Sequence, residues 1–330
     1  MKKIQMVDLK GQYSSIKEVV NSSIQEVIDN ASFINGPKVK EFQANLEAYL
    51  GIKHVIPCAN GTDALQIALM SLDLVPGDEV ITPSFTYIAT TEVIALLGLK
   101  PIFVDVDPAT FCIDATKIEA AITNKTKAIV PVHLYGQAAN MNAILAIAEK
   151  HNLAVVEDNA QALGSIYHLE NGKVEKTGTL GNIGCTSFFP SKNLGCYGDG
   201  GALYTNDDAL AEKIRMIANH GQKVKYYHEV VGCNSRLDSI QAAVLRIKLR
   251  QLDNYIDARR NVATYYDTVF GAIPGVKIPF RSADSKHVFH QYTLQLEGID
   301  RDALSAHLAS KEIPSMIYYP VPAHRQKMFS

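Results

Sequence analysis

Cysteine is scarce in this chain and never paired. The 330 residues hold five, Cys58, Cys112, Cys185, Cys196 and Cys233, dispersed and without a C-x-x-C spacing. That pattern excludes a disulfide framework and a zinc site built on paired thiols, and it fits a reducing cytoplasm. An excess of one charge is missing too. Lys+Arg 32 against Asp+Glu 34 leaves a formal net charge of −2, too balanced for a protein that grips nucleic acid through bulk positive charge. Nor is there a long apolar run. The most hydrophobic stretch, Val80 to Leu99, is interrupted by Pro83, Glu92 and four threonines, so it reads as strand, turn and helix and not as a membrane span. The N-terminus, Met1 to Asp8, meets an acidic residue before an apolar segment can form, which argues against a secretory leader. A Walker loop and a G-x-G-x-x-G fingerprint are also absent, which weighs against nucleotide hydrolysis and NAD-type dehydrogenation.

What the sequence does have is core material. Hydrophobic residues make up 47% and charged residues 20%, which excludes disorder. At roughly 150 residues per domain the length suits two domains, or one large domain with an appendage. Short β-branched runs at 54–57, 79–82, 101–105, 128–132, 154–157, 185–189 and 201–205 predict strands. Helical stretches at 63–72, 86–97, 114–121 and 141–151 separate the early ones, with Pro76-Gly77-Asp78 and Asp107-Pro108 at connections. The alternation predicts parallel strands joined by helical crossovers, hence a large α/β sheet domain. After about Asp207 the pattern changes. A helical region covers 236–270, with Leu237, Ile240, Val244, Ile247 and Leu252 at helical intervals. A strand-like run at 287–296, a short helix at 300–311 and an extended piece at 314–319 follow. These predict a smaller α+β domain, so the expected division is 1–235 and 236–330. No internal repeat or low-complexity linker is visible, and the halt at Ser330 without a closing helix reads as a truncated end.

Three segments carry chemistry. In Thr186-Ser187-Phe188-Phe189-Pro190-Ser191-Lys192-Asn193-Leu194-Gly195, followed by Tyr197-Gly198-Asp199-Gly200-Gly201, a lysine leaves an apolar strand for a glycine-rich turn. Partial desolvation there lowers an amine's pKa and frees it for Schiff-base chemistry; an unrelated lysine would be an ordinary surface charge. The strand Leu153-Ala154-Val155-Val156-Glu157 ends in Asp158-Asn159-Ala160-Gln161. Ligands gather at the carboxyl ends of strands in open α/β sheets, so Asp158 and Gln161 are expected to face a crevice. A buried carboxylate in that place needs a cation, such as a protonated pyridine nitrogen; the plainer alternative is a helix-capping Asp. In Ala59-Asn60-Gly61-Thr62-Asp63-Ala64-Leu65 a strand becomes a helix, whose free N–H groups and dipole favour an anion by roughly 0.3–2 kcal/mol.

In this order the three segments resemble the pyridoxal-phosphate-dependent nucleotide-sugar aminotransferases of the DegT/StrS family. Other landmarks of the likeness are Val7-Asp8-Leu9-Lys10, the Gly36-Pro37 step, Thr82 to Thr90 and Val104-Asp105-Val106-Asp107, so that it extends over essentially the whole chain. The resemblance implies the type I aminotransferase fold, with a mostly parallel seven-stranded sheet in the large domain. It implies that Lys192 forms the Schiff base and shuttles the proton, and that Asp158 keeps the pyridine nitrogen protonated. Gln161 would bond the ring hydroxyl and Tyr87 would stack on the ring. Gly61, Thr62 and Ser187 would hold the phosphate, with Asn234 donated by the second subunit of a homodimer.

Within the family the chain is most similar to enzymes that aminate UDP-2-acetamido-2-deoxy-3-oxo-glucuronate for bacterial surface polysaccharides such as O-antigen. That likeness implies L-glutamate as amino donor, and Ala31, Phe33, Ser191, Arg236, Tyr318 and Tyr319 as substrate contacts. Arg236 is the bidentate partner expected for a uronate carboxylate, unless it only ties subunits together. Phe33 and Tyr318 depart from the tyrosine and histidine of those relatives. Three alternatives stay open: a dTDP-3-oxo-6-deoxyhexose aminotransferase, a related sugar dehydratase, and a non-catalytic sensor of the same fold. Lys192 argues against the dehydratase, in which histidine replaces it.

Overall fold

The computed structural model describes residues 4–329; Met1–Lys3, part of the segment read above for a leader, and Ser330 lie outside the described residues. Two helices come first, α1 (Leu9–Asp29) and α2 (Pro37–Leu50). The α/β alternation follows as β1 (His54–Cys58), α3 (Gly61–Met70), β2 (Glu79–Pro83), α4 (Ala89–Leu96), β3 (Lys100–Val104), α5 (Ala115–Ile118), β4 (Thr126–Ile129), α6 (Met141–His151) and β5 (Ala154–Asp158). A hairpin, β6 (Ile166–His168) and β7 (Val174–Lys176), precedes β8 (Ile183–Ser187), β9 (Gly201–Thr205) and α7 (Asp208–Ile217). The remainder is β10 (Gln222–Val224), β11 (Tyr227–His228), α8 (Ser239–Leu249), α9 (Leu252–Phe270), β12 (Val276–Lys277), β13 (Ser285–Lys286), β14 (Gln295–Leu296) and α10 (Arg301–Ser310).

The large sheet has seven strands in the order β1-β9-β8-β5-β4-β2-β3. Only β9 runs against its neighbours β1 and β8; the pairs β8–β5, β5–β4, β4–β2 and β2–β3 are parallel. The seven-stranded, mostly parallel α/β expectation holds. Successive strand residues serve opposite faces. Ile56, Val80, Val156 and Leu203 join a core with α3, α4 and α7. Their neighbours Ile81 and Val155 pack with α6, and Val55 and Tyr204 pack with α2 and α8. Burial on both faces explains why these strands read as short apolar runs without alternation. Each fully buried Val, Leu or Ile contributes about 1.5–3 kcal/mol.

Three expectations need correcting. The helical region 236–270 is two helices, α8 and α9, separated at Arg250–Gln251. The run at 287–296 is not a strand: only β14 pairs, with β12. Val288 and Phe289 are buried by packing instead of by sheet pairing, and Phe289 has φ +45. Their carbonyl neighbourhood is tied by guanidinium groups, Arg259 to Phe289 and His290 and Arg260 to His287. Helix α4 starts at Ala89 and not at 86, because Thr86–Ile88 form the turn that leaves β2.

Candidate active site

The carboxyl ends of β1, β2, β5 and β8 and the amino end of β9 meet at one edge of the sheet. Asp158 closes β5 and is 5% exposed. Its Oδ2 accepts a hydrogen bond from Thr90 Oγ1 at 2.8 Å, and its Oδ1 accepts one from the Ala160 N–H at 3.1 Å. Among the described residues no ion pair neutralises it. A buried carboxylate without a salt-bridge partner is expensive, so this pocket suits a positively charged group. Gln161, in the turn after β5, accepts from the Tyr135 N–H at 2.7 Å and donates to the Tyr319 hydroxyl at 3.0 Å.

Lys192 sits in the turn after β8. Its backbone N–H donates to the Phe189 carbonyl at 2.9 Å, while its amine has no hydrogen-bond partner among the described residues. Burial pushes the amine down to about 8, and the nearby Asp158 charge pulls the other way. Desolvation therefore prevails, and a useful fraction of the amine is neutral near physiological pH. His290 is also close enough to feel the Lys192 charge. Burial first, then Lys192 and Arg259, hold its imidazole well below the usual histidine range.

The anion end is built from glycines. A Cβ on Gly61 would lie 2.6 Å from Ser187 Cβ, and one on Gly201 would lie 2.4 Å from the Asn60 backbone. The N-terminus of α3 thus approaches the end of β8 as closely as backbone permits. Asn60 Oδ1 caps α3 by accepting from the Asp63 N–H at 2.8 Å, which leaves the Gly61 and Thr62 N–H groups free of partners among the described residues. Ser187 lies beside them, its Oγ accepting from the Phe189 N–H at 3.2 Å. Free N–H groups at a helix N-terminus suit a phosphate, an unpaired carboxylate suits a protonated ring nitrogen, and a desolvated lysine suits an aldehyde. The donor set fits pyridoxal phosphate.

Behind Asp158, Glu157 faces the other side of β5 and is fully buried. It accepts from the N–H groups of Gly178, Leu180 and Gly181 at 2.6–2.7 Å. His133 Nε2 lies 2.8 Å from it. Because His133 Nδ1 accepts from the Ala139 N–H, its proton is on Nε2, and the imidazole is a neutral donor to Glu157. These contacts tie the loops on both sides of the Asp158 strand end.

Tyr87 is 58% exposed, with its ring 6.3 Å from that of Tyr319. Tyr319 also meets Phe85 at 5.7 Å, and the Tyr318 carbonyl accepts from the Tyr135 hydroxyl at 2.7 Å. The structure therefore gathers Asp158, Gln161, Tyr87, Tyr318 and Tyr319 at one place, with Ser191 half-buried beside Lys192. Ala31, Phe33 and Asn234 are exposed, and Ser235, next to Asn234, accepts from the Ala59 N–H at 3.1 Å. Asn234 forms a bridge with Asn219, and the Phe33 carbonyl accepts from the Ser239 N–H at 2.9 Å. Arg236 is half-buried, and among the described residues its guanidinium has no partner. Sequence reasoning assigned no role to Thr90, although it closes the Thr82 to Thr90 landmark, and it passed over Tyr135 and His290. A cleft of about 340 Å³ lined by Leu72, Asp78, Lys127 and Asn182 lies at the opposite, amino ends of the strands.

Comparison with known proteins gives the family. Residues 14–330 match the model of the DegT/DnrJ/EryC1/StrS aminotransferase family. The chain belongs to that family. It is 50% identical over 329 residues to a pleiotropic regulatory protein of Geobacillus stearothermophilus, covering 99% of this chain and 87% of that protein. It is 48% identical over 323 residues to a UDP-2-acetamido-2-deoxy-3-oxo-D-glucuronate aminotransferase of Pseudomonas aeruginosa, covering 98% and 88%. A dTDP-3-amino-3,4,6-trideoxy-alpha-D-glucose transaminase of Streptomyces venezuelae is 40% identical over 322 residues, covering 98% and 83%. Among solved structures, S. venezuelae DesV in complex with a ketimine intermediate superposes with TM-score 0.95 at 40% identity, covering 100% of this chain and 87% of that one. NtdA of Bacillus subtilis with bound cofactor PMP superposes with TM-score 0.90 at 34% identity, covering 99% and 74%. This family member is an aminotransferase that uses pyridoxal phosphate. Among its described residues no helix is long and apolar enough to cross a membrane.

Proposed function

We propose that this aminotransferase moves an amino group from L-glutamate to a nucleotide-linked 3-keto sugar, specifically UDP-2-acetamido-2-deoxy-3-oxo-glucuronate. The product is the 3-amino sugar used for surface polysaccharide, made in the cytoplasm by a homodimer with shared sites. In this reading Lys192 holds the cofactor aldehyde and Asp158 faces its ring nitrogen. Gln161 faces its ring hydroxyl, Tyr87 covers its face, and Gly61, Thr62 and Ser187 meet its phosphate with the partner's Asn234. When bound, pyridoxal phosphate supplies an electron sink for the carbon that loses or gains a proton.

The chain's own residues do the rest. Asp158 would face the ring nitrogen, with Thr90 and the Ala160 N–H fixing its oxygens. Lys192, held partly neutral by burial, takes a proton from the donor carbon and later returns one to the sugar carbon. Tyr87 and Tyr319 exclude water from one side of the cleft.

The observation that carries the uronate assignment is Arg236, a half-buried guanidinium with no carboxylate partner among the described residues, as a substrate carboxylate requires. The 48% identity with the P. aeruginosa enzyme supports it. The 40% identity with a dTDP-sugar transaminase favours a second reading, a dTDP-3-oxo-6-deoxyhexose, which has no carboxylate for Arg236 to meet. One coupled assay separates them, offering glutamate with a panel of UDP- and dTDP-linked keto sugars. The uronate should be preferred, and Arg236→Ala should raise its KM about 10- to 100-fold. Equal damage to uronate and deoxyhexose turnover refutes the role given to Arg236.

A further inference from the structure

The turn between Pro190 and Gly200 must aim the Lys192 amine, and part of its rigidity is internal. The Cys196 N–H donates to the Phe188 carbonyl at 2.8 Å. The Cys196 thiol donates to the Phe188 and Gly198 carbonyls at 3.0 and 3.1 Å. A Cβ on Gly195 would fall 2.3 Å from the Pro190 carbonyl oxygen, so the turn is folded as tightly as a glycine allows.

The rest comes from α8. Gln241 accepts from the Tyr197 N–H at 2.8 Å and donates back to the Tyr197 carbonyl at 3.3 Å. Lys248 Nζ donates to the Gly195 carbonyl and lies 5.4 Å from the centroid of the Tyr197 ring. The two side chains are seven residues apart, two helical turns, and so project from one face of α8. Lys248 is only 1% exposed. Burial pushes its amine down to about 8, and among the described residues no carboxylate pairs with it. A buried ammonium with one carbonyl and one aromatic face as company is a poor stabiliser, and an apolar side chain of equal length would fill the space at lower cost.

We propose that Gln241 and Lys248 are positioning residues, a two-point clamp on the turn that fixes where the Lys192 amine points. The proposal rests on the reading of Lys192 as the cofactor lysine, which borohydride trapping and peptide mapping on the unmodified protein test separately. The variants are Lys248→Met, which keeps length and removes the donor, and Gln241→Ala. Three quantities are read on each: hydrogen exchange of the peptide spanning 190–198, the rate of covalent pyridoxal phosphate uptake by the cofactor-free protein, and kcat with KM for glutamate. With the clamp removed, exchange in that peptide alone should quicken about tenfold or more. Uptake and kcat should fall about 10- to 100-fold with KM little changed, as misplacement of a reacting group by an ångström does. Lys248→Met with parent-like exchange, uptake and kcat overturns the proposal. So does activity that falls only in step with the folded fraction. Should Lys248→Met fail to fold, Gln241→Ala, at the less buried end of the clamp, decides by the same criteria.

Discussion

Asp158 and Lys192 are each unfavourable in isolation: a buried carboxylate without a salt-bridge partner among the described residues, and an amine whose pKa burial pushes down. Groups so placed are retained for chemistry more often than for stability. Lys192→Ala should abolish turnover while the protein still folds, checked by a glutamate half-reaction followed by absorbance. The pH dependence has a definite sign. Folding lowers the Lys192 pKa from its ordinary value to about 8, so the penalty of burying the ammonium is fully present below 8. It is relieved as pH rises from there toward the ordinary lysine value, where the unfolded chain holds a proton that the folded one has released. Covalent uptake of pyridoxal phosphate by cofactor-free protein should accordingly speed up with pH through a midpoint near 8, read by absorbance. A flat profile between about pH 6 and 9 contradicts the assignment. These two residues were legible because a strand end and a glycine turn are recognisable in one dimension. His290 was not, since its segment is placed by Arg259 and Gly136, distant in sequence.

At the scale of elements, most of the large sheet was legible, with strand limits within about two residues, because β-branched runs buried on both faces are hard to read otherwise. Elements held mainly by distant partners were not. Helices α1 and α2 dock on α8, and β13 finds its partner in β6, more than a hundred residues earlier. The strand-like run at 287–296 misled because buried apolar residues give the same signal whether a sheet or loose packing buries them. Helix α3 links an element to the site. Asn60→Ala removes its cap and should destabilise the protein by about 1 kcal/mol, measured by denaturant titration. Part of that loss should appear only in the cofactor-bound form, because the same turn aims the Gly61 and Thr62 N–H groups. Gly61→Ala is the sharper probe. Its methyl would meet Ser187, so cofactor affinity should drop about tenfold or more while the rest of the sheet is undisturbed. Equilibrium dialysis with the cofactor checks it; unchanged affinity would remove Ser187 and Gly61 from the phosphate cradle.

At the scale of the whole molecule, the cofactor site proposed above is shared between two chains. Asn234 is exposed, although the resemblance assigns it to the phosphate, and Tyr226 and Tyr227 project from the neighbouring hairpin at 77% and 70% exposure. Both facts follow if the segment reaches a second copy, an arrangement that no single-chain periodicity can disclose. Complementation tests it. In a homodimer of shared sites, a Lys192→Ala subunit combined with an Asn234→Ala subunit places both lesions in one site and leaves the other intact. Randomly mixed subunits should therefore recover about a quarter of full activity, since half of the dimers are hybrids and each has one good site of two. Neither parent variant alone should approach that level when cofactor is limiting. If Asn234 acts within its own chain, every hybrid site carries one lesion, and mixing restores nothing above the average of the two parents.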